Sequence, residues 1–500
     1  MRLLKKTGTR YLLLTLEPQR YSPGAYLLLK DRLSDRGLLL QIIDIEYADL
    51  PGLLEDYLRE ELESELVVEV EDHDPMGILN VLTEVRDASL LVCEARAAIA
   101  GDQLDEFVGY APSRAQSIVQ VLEHEQLATL LNPGKVHYPI CIGSFWRSSV
   151  DTEFVIDAER LDGTVSVITG MKGMGKSHLA KHLVLGLLKY NVPLLVLDVN
   201  GEYTRIGYLR DGTPAPWHNR IHVLRPCENY QLSVEAIGLR SFIRLLANAL
   251  QLPAQSQRVL RIAWQNLEQR GITPTLSALM QEVMRRNGVS YQVREAIYSR
   301  LEYLRSTQLF NDQAAQQDPV PDLLAKGNTV ILDLHSLSPM LQRVIVEYIL
   351  SKLADLLEQR ALPPLFLVAE EAHLYLRDTH WEEIVTRMRH LGIFTIFVTN
   401  QPSRIPDHVY RQLDNLFLFR FVNENDLRFV ARASRIDVDT VRYLLPNLPR
   451  GVCLVVGVVT RNLPVLVRVS GLEAEAQGET RRFFATPRLS AASALARAAS

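Results

Sequence analysis

Val165-Ser-Val-Ile-Thr-Gly170-Met-Lys-Gly-Met-Gly175-Lys176-Ser177 is the stretch that decides the fold. An apolar run meets the pattern Gly-x-x-x-x-Gly-Lys-Ser and passes directly into helical periodicity from Leu179 to Leu188. Strand, glycine loop and helix in that order are the sequence form of a P-loop. Gly170, Gly173 and Gly175 let backbone N–H groups curl around phosphate oxygens where a Cβ would obstruct. Lys176 brings charge to the β- and γ-phosphates, and Ser177 a hydroxyl to Mg²⁺. Met174 and His178 complete the same phosphate-binding segment, and the helix that starts here points its N-terminus at the anion. An ordinary glycine turn is the alternative, and the flanking strand and helix weigh against it. The implied ligands are ATP and Mg²⁺.

The chain has 500 residues, too many for one core, so two or three domains are expected. It is 47% hydrophobic and 23% charged, the balance of a soluble globular protein, with an Ala/Ser-rich end from Thr486 to Ser500. The formal net charge of -5 excludes a polycation, so any nucleic-acid surface must be a local channel or patch. Cys93, Cys141, Cys227 and Cys453 show no Cys-x-x-Cys spacing. Neither a zinc site nor a disulfide framework is indicated, and a reducing cytoplasm fits best. The apolar run Tyr11 to Leu16 stops at Glu17, and no run approaches membrane-spanning length.

Tyr11-Leu-Leu-Leu-Thr-Leu, Ala25-Tyr-Leu-Leu-Leu-Lys and Gly37-Leu-Leu-Leu-Gln-Ile-Ile-Asp-Ile read as strands, punctuated by Pro18, Pro23-Gly24 and the polar run from Asp31 to Arg36. Their close spacing predicts a small barrel. A charged, helix-favouring stretch from Leu53 to Glu65 reads as an excursion from it. Strands resume at Ser89-Leu-Leu-Val-Cys-Glu-Ala and Ser117-Ile-Val-Gln-Val-Leu, and Asn132-Pro-Gly is a linker turn. After the P-loop helix, Val192-Pro-Leu-Leu-Val-Leu-Asp198 is a buried parallel strand ending in an acid. Open α/β sheets hold ligands at that edge, which places Asp198 and Glu202 near the nucleotide.

Residues 233 to about 318 carry helical periodicity, as in Phe242 to Leu250 and Val293 to Leu304. The sheet resumes at Asn328-Thr-Val-Ile-Leu-Asp333, followed by a helix from Leu341 to Glu358. Pro364-Leu-Phe-Leu-Val-Ala-Glu370-Glu371-Ala-His373 then delivers two adjacent carboxylates to a strand end. Glu370 suits the Mg²⁺ shell and Glu371 the polarisation of an attacking water, a Walker B arrangement. A helix start, which also favours Glu, is the alternative. Ile393-Phe-Thr-Ile-Phe-Val-Thr leads to Asn400-Gln401-Pro402, with Gln401 the candidate γ-phosphate sensor and Asn400 a turn residue. Leu416-Phe-Leu-Phe-Arg420-Phe is a further strand, and Val452 to Val459 with Val465 to Val469 form a terminal hairpin.

These segments together resemble the HerA family of hexameric DNA translocases, relatives of FtsK within the RecA-like ATPases. The resemblance runs over residues 8 to 470 and is carried by Gly170 to Ser177, Asp198-x-Asn-Gly-Glu-Tyr203, Thr329 to Leu334 with Ser336-Leu337, Glu370-Glu371-Ala-His373, and Arg389-His-Leu-Gly392 leading to Gln401-Pro-Ser-Arg404. Gly24 to Asp31 and Leu39-Leu-Gln-Ile-Ile look like the family's small β-barrel. The resemblance implies an α/β fold: a RecA-like P-loop ATPase core with an N-terminal β-barrel and an inserted helical layer. The implied domains are a barrel with its helical excursion at 1–150, the core at 151–232 and 326–470, a helical insertion at 233–325 and a tail at 471–500. It makes Lys176 and Ser177 the phosphate and magnesium contacts, Glu371 the catalytic carboxylate, Gln401 the sensor, and Arg389 an arginine that reaches a neighbouring subunit's nucleotide. Two departures stand: Glu370 replaces the usual Walker B Asp, and a short segment before Arg387 leaves Arg387 and Arg389 both open for that role.

The resemblance implies a homo-hexameric ring that moves double-stranded DNA and works with a NurA-like nuclease in DNA-end processing or with a sirtuin-like effector in antiphage defence. Arg205 and Arg210 are candidate pore contacts, and a solvated loop explains them equally well. A pumping ATPase of a conjugation or secretion system and a nucleotide-dependent scaffold or switch are the alternatives.

Overall fold

Val165–Thr169 is buried at every position. Val165, Val167 and Ile168 supply its apolar surface, and Ser166 is buried with its hydroxyl accepting from Asn415 Nδ2 at 3.2 Å, so the segment sits as an interior strand covered on both sides. In the computed structural model, which describes residues 1–31, 36–48, 88–100, 103–105, 111–114, 116–148, 151–311, 318–374, 387, 389–434 and 436–475, the chain forms two compact units. One comprises Met1–Tyr190 and Glu371–Gly471, the other Asn191–Glu370 with the segment from Leu472.

The strands in chain order are β1 (Arg2–Thr7), β2 (Arg10–Thr15), β3 (Tyr26–Asp31), β4 (Arg36–Tyr47), β5 (Ser89–Ala100), β6 (Gln103–Asp105), β7 (Ser117–Val121), β8 (Pro139–Phe145), β9 (Glu153–Asp157), β10 (Val165–Thr169), β11 (Leu194–Asp198), β12 (Ile221–Leu224), β13 (Thr329–Asp333), β14 (Leu365–Ala369), β15 (Ile393–Thr399), β16 (Asn415–Leu418), β17 (Val452–Gly457) and β18 (Val465–Val469).

In the first unit, β1 to β7 form an antiparallel sheet in the order β1-β2-β5-β4-β3-β7, with β6 pairing β5. Tyr11 and Leu13, Leu27 and Leu29, Leu38 and Leu40, and Leu91 and Cys93 alternate into one core, the period of two that a half-buried strand dictates. Among the described residues the terminal strands β1 and β7 are not paired with each other. The excursion expected at 53–65 lies outside the described residues.

The same unit holds a second sheet in the order β15-β10-β16-β17-β18-β8-β9. β10 runs parallel to both β15 and β16, and β16 onward is antiparallel. The expected terminal hairpin is therefore β17–β18. β8 pairs with β18, so Pro139–Phe145 belongs to this second sheet. The N-terminal sheet is fastened to this core by polar contacts. Tyr26 Oη and Gln41 Nε2 both donate to the Pro464 carbonyl at 2.8 Å. Buried Arg96 donates to Gln41 Oε1 at 3.0 Å, to Asp437 Oδ2 at 2.7 Å and to the Thr440 hydroxyl. Asp437 also caps helix Val438–Leu444 by accepting from the Thr440 N–H.

The second unit has four parallel strands in the order β12-β13-β11-β14. Helices Leu239–Ala249, Ala254–Gln269, Leu276–Arg285 and Tyr291–Ser306 supply the helical layer. Leu239–Ala249 buries Phe242, Leu245, Leu246 and Ala249, spaced at three and four residues as one helical face requires. It meets helix Pro339–Glu358 through Arg244–Asp355 at 3.2 Å and Asn248–Glu347 at 2.5 Å.

Candidate functional site

The loop after β10 takes its shape from three backbone constraints. Met171 N–H donates to the Arg420 carbonyl and Gly451 N–H to the Met174 carbonyl, both at 3.0 Å. Gly170 has φ +152°, and a Cβ there would sit 2.5 Å from the Phe419 Cβ, so this glycine is required by the strand alongside it. Gly175 has φ +116°, in the left-handed region, and opens helix Lys176–Leu188 with no side-chain cap. The uncapped N–H groups of a 13-residue helix therefore face the loop, the donor set a polyphosphate needs. Lys176 is buried and its Nζ donates to the Met171 carbonyl at 3.0 Å, holding the ammonium inside the loop it closes. The loop fits a nucleotide polyphosphate. His178 was expected in the phosphate set, but its Nε2 contacts the Ser470 carbonyl at 2.8 Å, as does His182 one turn later.

At the C-terminal edge of the second unit's sheet, register places Asp198 beside Asp333 and Leu197 beside Ala369, so Asp198, Asp333 and Glu370 form a row of acids. Glu370 is buried, and the Tyr203 hydroxyl donates to its Oε1 at 2.5 Å. Asp198 is fully buried and accepts the backbone N–H groups of Glu202 at 2.9 Å and Tyr203 at 2.8 Å. Burial pushes its pKa up to about 6; the two N–H bonds oppose that, and Asp333 and Glu202 add to it. Asp198 thus shapes the turn that carries Tyr203 to Glu370, a more specific role than nearness to nucleotide. Arg205, a candidate pore contact, pairs with Glu475 at 2.7 Å and lies over the Tyr208 ring at 4.4 Å.

Glu371 opens the returning segment of the first unit with φ 49°, a left-handed backbone that costs a non-glycine residue energy. Buried His373 sits between two partners: its Nδ1 lies 3.3 Å from Glu371 Oε2 and 3.1 Å from Thr399 Oγ1. Burial, with the charge of Arg404, holds the imidazole pKa below its ordinary value, so the ring is neutral at pH 7. Thr399 Oγ1 also accepts the Gln401 N–H at 3.1 Å. Because Thr169 pairs with Thr399, Gly170 and Asn400 follow side by side at the ends of β10 and β15. Asn400, expected as a turn residue, has a buried Oδ1 without a hydrogen-bond partner among the described residues, while Gln401 is half-buried next to it. Both amides stand just past the tip of β15, next to the start of the phosphate loop.

Arg389 is half-exposed and lies 3.4 Å from Asp414 Oδ2. Asp414 in turn accepts the Val165 N–H at the start of β10. Arg389 therefore stands at the N-terminal edge of the sheet, a strand length, on the order of 15–20 Å, from the P-loop at the other end. It does not join its own phosphate loop. Arg387 is exposed.

Tyr203 and His373 were quoted in motifs without a role. Each follows an acid at short spacing, Asp198 to Tyr203 and Glu371 to His373, but the contacts that give them meaning, to Glu370 and Thr399, are made across 167 and 26 positions. Among the described residues no three His, Cys, Asp or Glu side chains are grouped to hold a metal ion. Magnesium commonly binds through one or two protein ligands completed by substrate phosphates, so a nucleotide site needs no such group.

Strand, uncapped phosphate loop, helix and buried acids at the ends of parallel strands define a RecA-like P-loop ATPase. Solved structures share the fold: VirB4 of Thermoanaerobacter pseudethanolicus has TM-score 0.53 and 14% identity over 68% of this chain and 98% of that one. The plasmid coupling protein TrwB in complex with a non-hydrolysable ATP analogue has TM-score 0.51 and 13% identity, covering 72% and 95%. Residues 140–353 match the model for the central domain of helicase HerA. The DNA double-strand break repair helicase HerA of Sulfurisphaera tokodaii is 22% identical over 392 residues, 73% of this chain and 75% of that protein. The protein of that name from Sulfolobus acidocaldarius is 22% identical over 398 residues, again 73% and 75%. The chain's central region is thus similar to the central domain of the HerA helicases, and the chain is an ATPase.

Proposed function

We propose that the chain is an ATP-driven motor that assembles as a homo-hexameric ring, moves double-stranded DNA through its centre and works in the cytoplasm beside a NurA-like nuclease or a sirtuin-like effector. The observation that carries the ring is the position of Arg389. A catalytic arginine at the far edge of the sheet serves a phosphate loop only on another copy of the chain. Lys176 neutralises phosphate charge, Glu371 orients water and takes its proton, and Asn400 and Gln401 report the γ-phosphate. Ser177 and Glu370 are the side chains to hold Mg²⁺, which supplies charge neutralisation on the phosphates when bound. DNA as the cargo is supported by the likeness to that family and by the relatives' names, and the four free cysteines fit a reducing compartment.

Arg389→Ala should bind ATP and assemble yet lose turnover, since an arginine finger is worth about 10³ to 10⁵ in rate. Mixing it with Glu371→Gln should restore activity, because mixed rings contain interfaces where an intact Glu371 meets an intact Arg389. An Arg389→Ala ring with normal turnover refutes the assignment and leaves the ordinary worth of a surface pair with Asp414, about 0–1 kcal/mol.

The pumping alternative shares the scaffold, since VirB4 and TrwB resemble this chain in fold. Among the described residues no helix is long and apolar enough to cross a membrane. Stimulation of hydrolysis by duplex DNA favours the translocase; turnover indifferent to any nucleic acid favours the pump or the switch.

A further inference from the structure

The contacts of His373 extend the site beyond the residues that touch nucleotide. A neutral imidazole has one nitrogen that donates and one that accepts. The same atom, Nδ1, is hydrogen-bonded to Thr399 Oγ1 at 3.1 Å and lies 3.3 Å from Glu371 Oε2, close to that buried oxygen without a hydrogen bond to it in this arrangement. As a donor, Nδ1–H serves the Glu371 carboxylate, which can only accept. As an acceptor, it takes the Thr399 hydroxyl proton and gives the carboxylate nothing. The two tautomers exclude each other, and a proton on Nδ1 that turns to the Thr399 oxygen is likewise withheld from the carboxylate. Thr399 is no bystander, because its oxygen accepts the Gln401 N–H and it is the last residue of its strand, directly before Asn400. A movement of the sensor loop changes what the Thr399 hydroxyl has to offer Nδ1.

We propose that His373 is a positioning residue that exchanges Nδ1 between Glu371 and Thr399, so that the state of the β15 tip decides whether the Glu371 carboxylate is held for catalysis. The inference rests on the catalytic assignment of Glu371 made above. The left-handed backbone at Glu371, φ 49°, fits a carboxylate set by its contacts and not by local preference. In chemical terms the device links the groups that detect the γ-phosphate to the group that activates water, through one imidazole and one hydroxyl.

The test uses steady-state ATP hydrolysis and nucleotide affinity on the full chain. His373→Ala should lower kcat about 10- to 100-fold, the usual loss when a supporting hydrogen bond to a catalytic group is removed, and leave ATP affinity within about twofold. His373→Asn and His373→Gln separate positioning from packing. The Asn amide nitrogen occupies the place of Nδ1 and should recover most of the lost turnover; the Gln amide nitrogen occupies that of Nε2 and should behave like alanine. Thr399→Val ends the sharing and should raise basal turnover about twofold, as expected if the two arrangements are evenly populated. The double variant with His373→Ala should be as slow as His373→Ala alone, a non-additivity that independent sites do not show.

Asn no better than Gln, or Thr399→Val slowing turnover additively with His373→Ala, overturns the inference and leaves His373 a packing residue. Glu371→Gln is the control for the underlying assignment: wild-type turnover in that variant removes the catalytic role itself, and the inference with it.

Discussion

Replacing Glu371 by glycine and, separately, by alanine isolates what the backbone at this site costs. Both changes delete the carboxylate and its contact with His373, so both should abolish turnover, and their difference in stability is a backbone quantity. Glu371 has φ 49°. The left-handed conformation costs an L-residue about 1–2 kcal/mol, which glycine avoids. Glycine's greater freedom in the unfolded chain takes back about 0.4–1 kcal/mol. The glycine variant should then be the more stable by about 0.5–1 kcal/mol, which in a unit of this size shifts the melting temperature by roughly 1–3 °C. Paired thermal melts of the two proteins at equal concentration read this directly. An alanine variant as stable as the glycine variant would show that Glu371 carries no strain, and the argument that its contacts impose its backbone would fail.

Lys176→Ala should lose ATP affinity, since the charge held at the Met171 carbonyl is the loop's counter-ion, whereas Glu371→Gln should retain ATP and turn it over very slowly; equilibrium binding beside single-turnover rates separates the two. Arg96→Met should destabilise the first unit by about 1.5–3 kcal/mol by leaving the half-buried Asp437 without its charged partner, and adding Asp437→Asn should recover most of that in urea titration. Burial raises the Asp437 pKa, but the charge and hydrogen bonds of Arg96 and the bonds from Thr440 outweigh it and leave the carboxyl below its ordinary range. A depressed acid stabilises the fold above the unfolded pKa and loses that contribution as pH falls through the folded one, so below about pH 4 the wild type should lose stability that Arg96→Met never had. Binding to duplex DNA should weaken steeply with salt, with little dependence on sequence; a flat salt profile would count against a phosphate-gripping motor.

The parts of this fold legible in the sequence are those with a one-sided physical requirement. β11 and β14 are near-continuous apolar runs, and β10 is buried throughout although it carries Ser166 and Thr169, because parallel strands are covered on both faces, and the glycines and acids at their ends mark where they stop. β1 escaped notice because its Arg2, Lys5 and Lys6 give an edge strand the composition of a solvated terminus. β8 begins with proline and contains glycine, and its pairing with β18 is visible only once a partner more than 300 positions away is in place. At the site, the residues that touch phosphate follow from spacing. Those that set the acids, Tyr203 beneath Glu370 and His373 beside Glu371, depend on neighbours that spacing does not reveal.

β10 has a further consequence during synthesis. Both of its sheet neighbours, β15 and β16, are encoded far downstream: Val165 pairs with Thr395 and Val167 with Leu416. At about 5–20 residues per second, a ribosome completes the nearer of them some 10–50 s after the P-loop strand has emerged. For that interval a strand buried at every position of the folded unit has neither edge paired. A nascent chain in this state is a client for chaperones that shield unpaired β-strands, and the yield of folded motor should fall when translation outruns them.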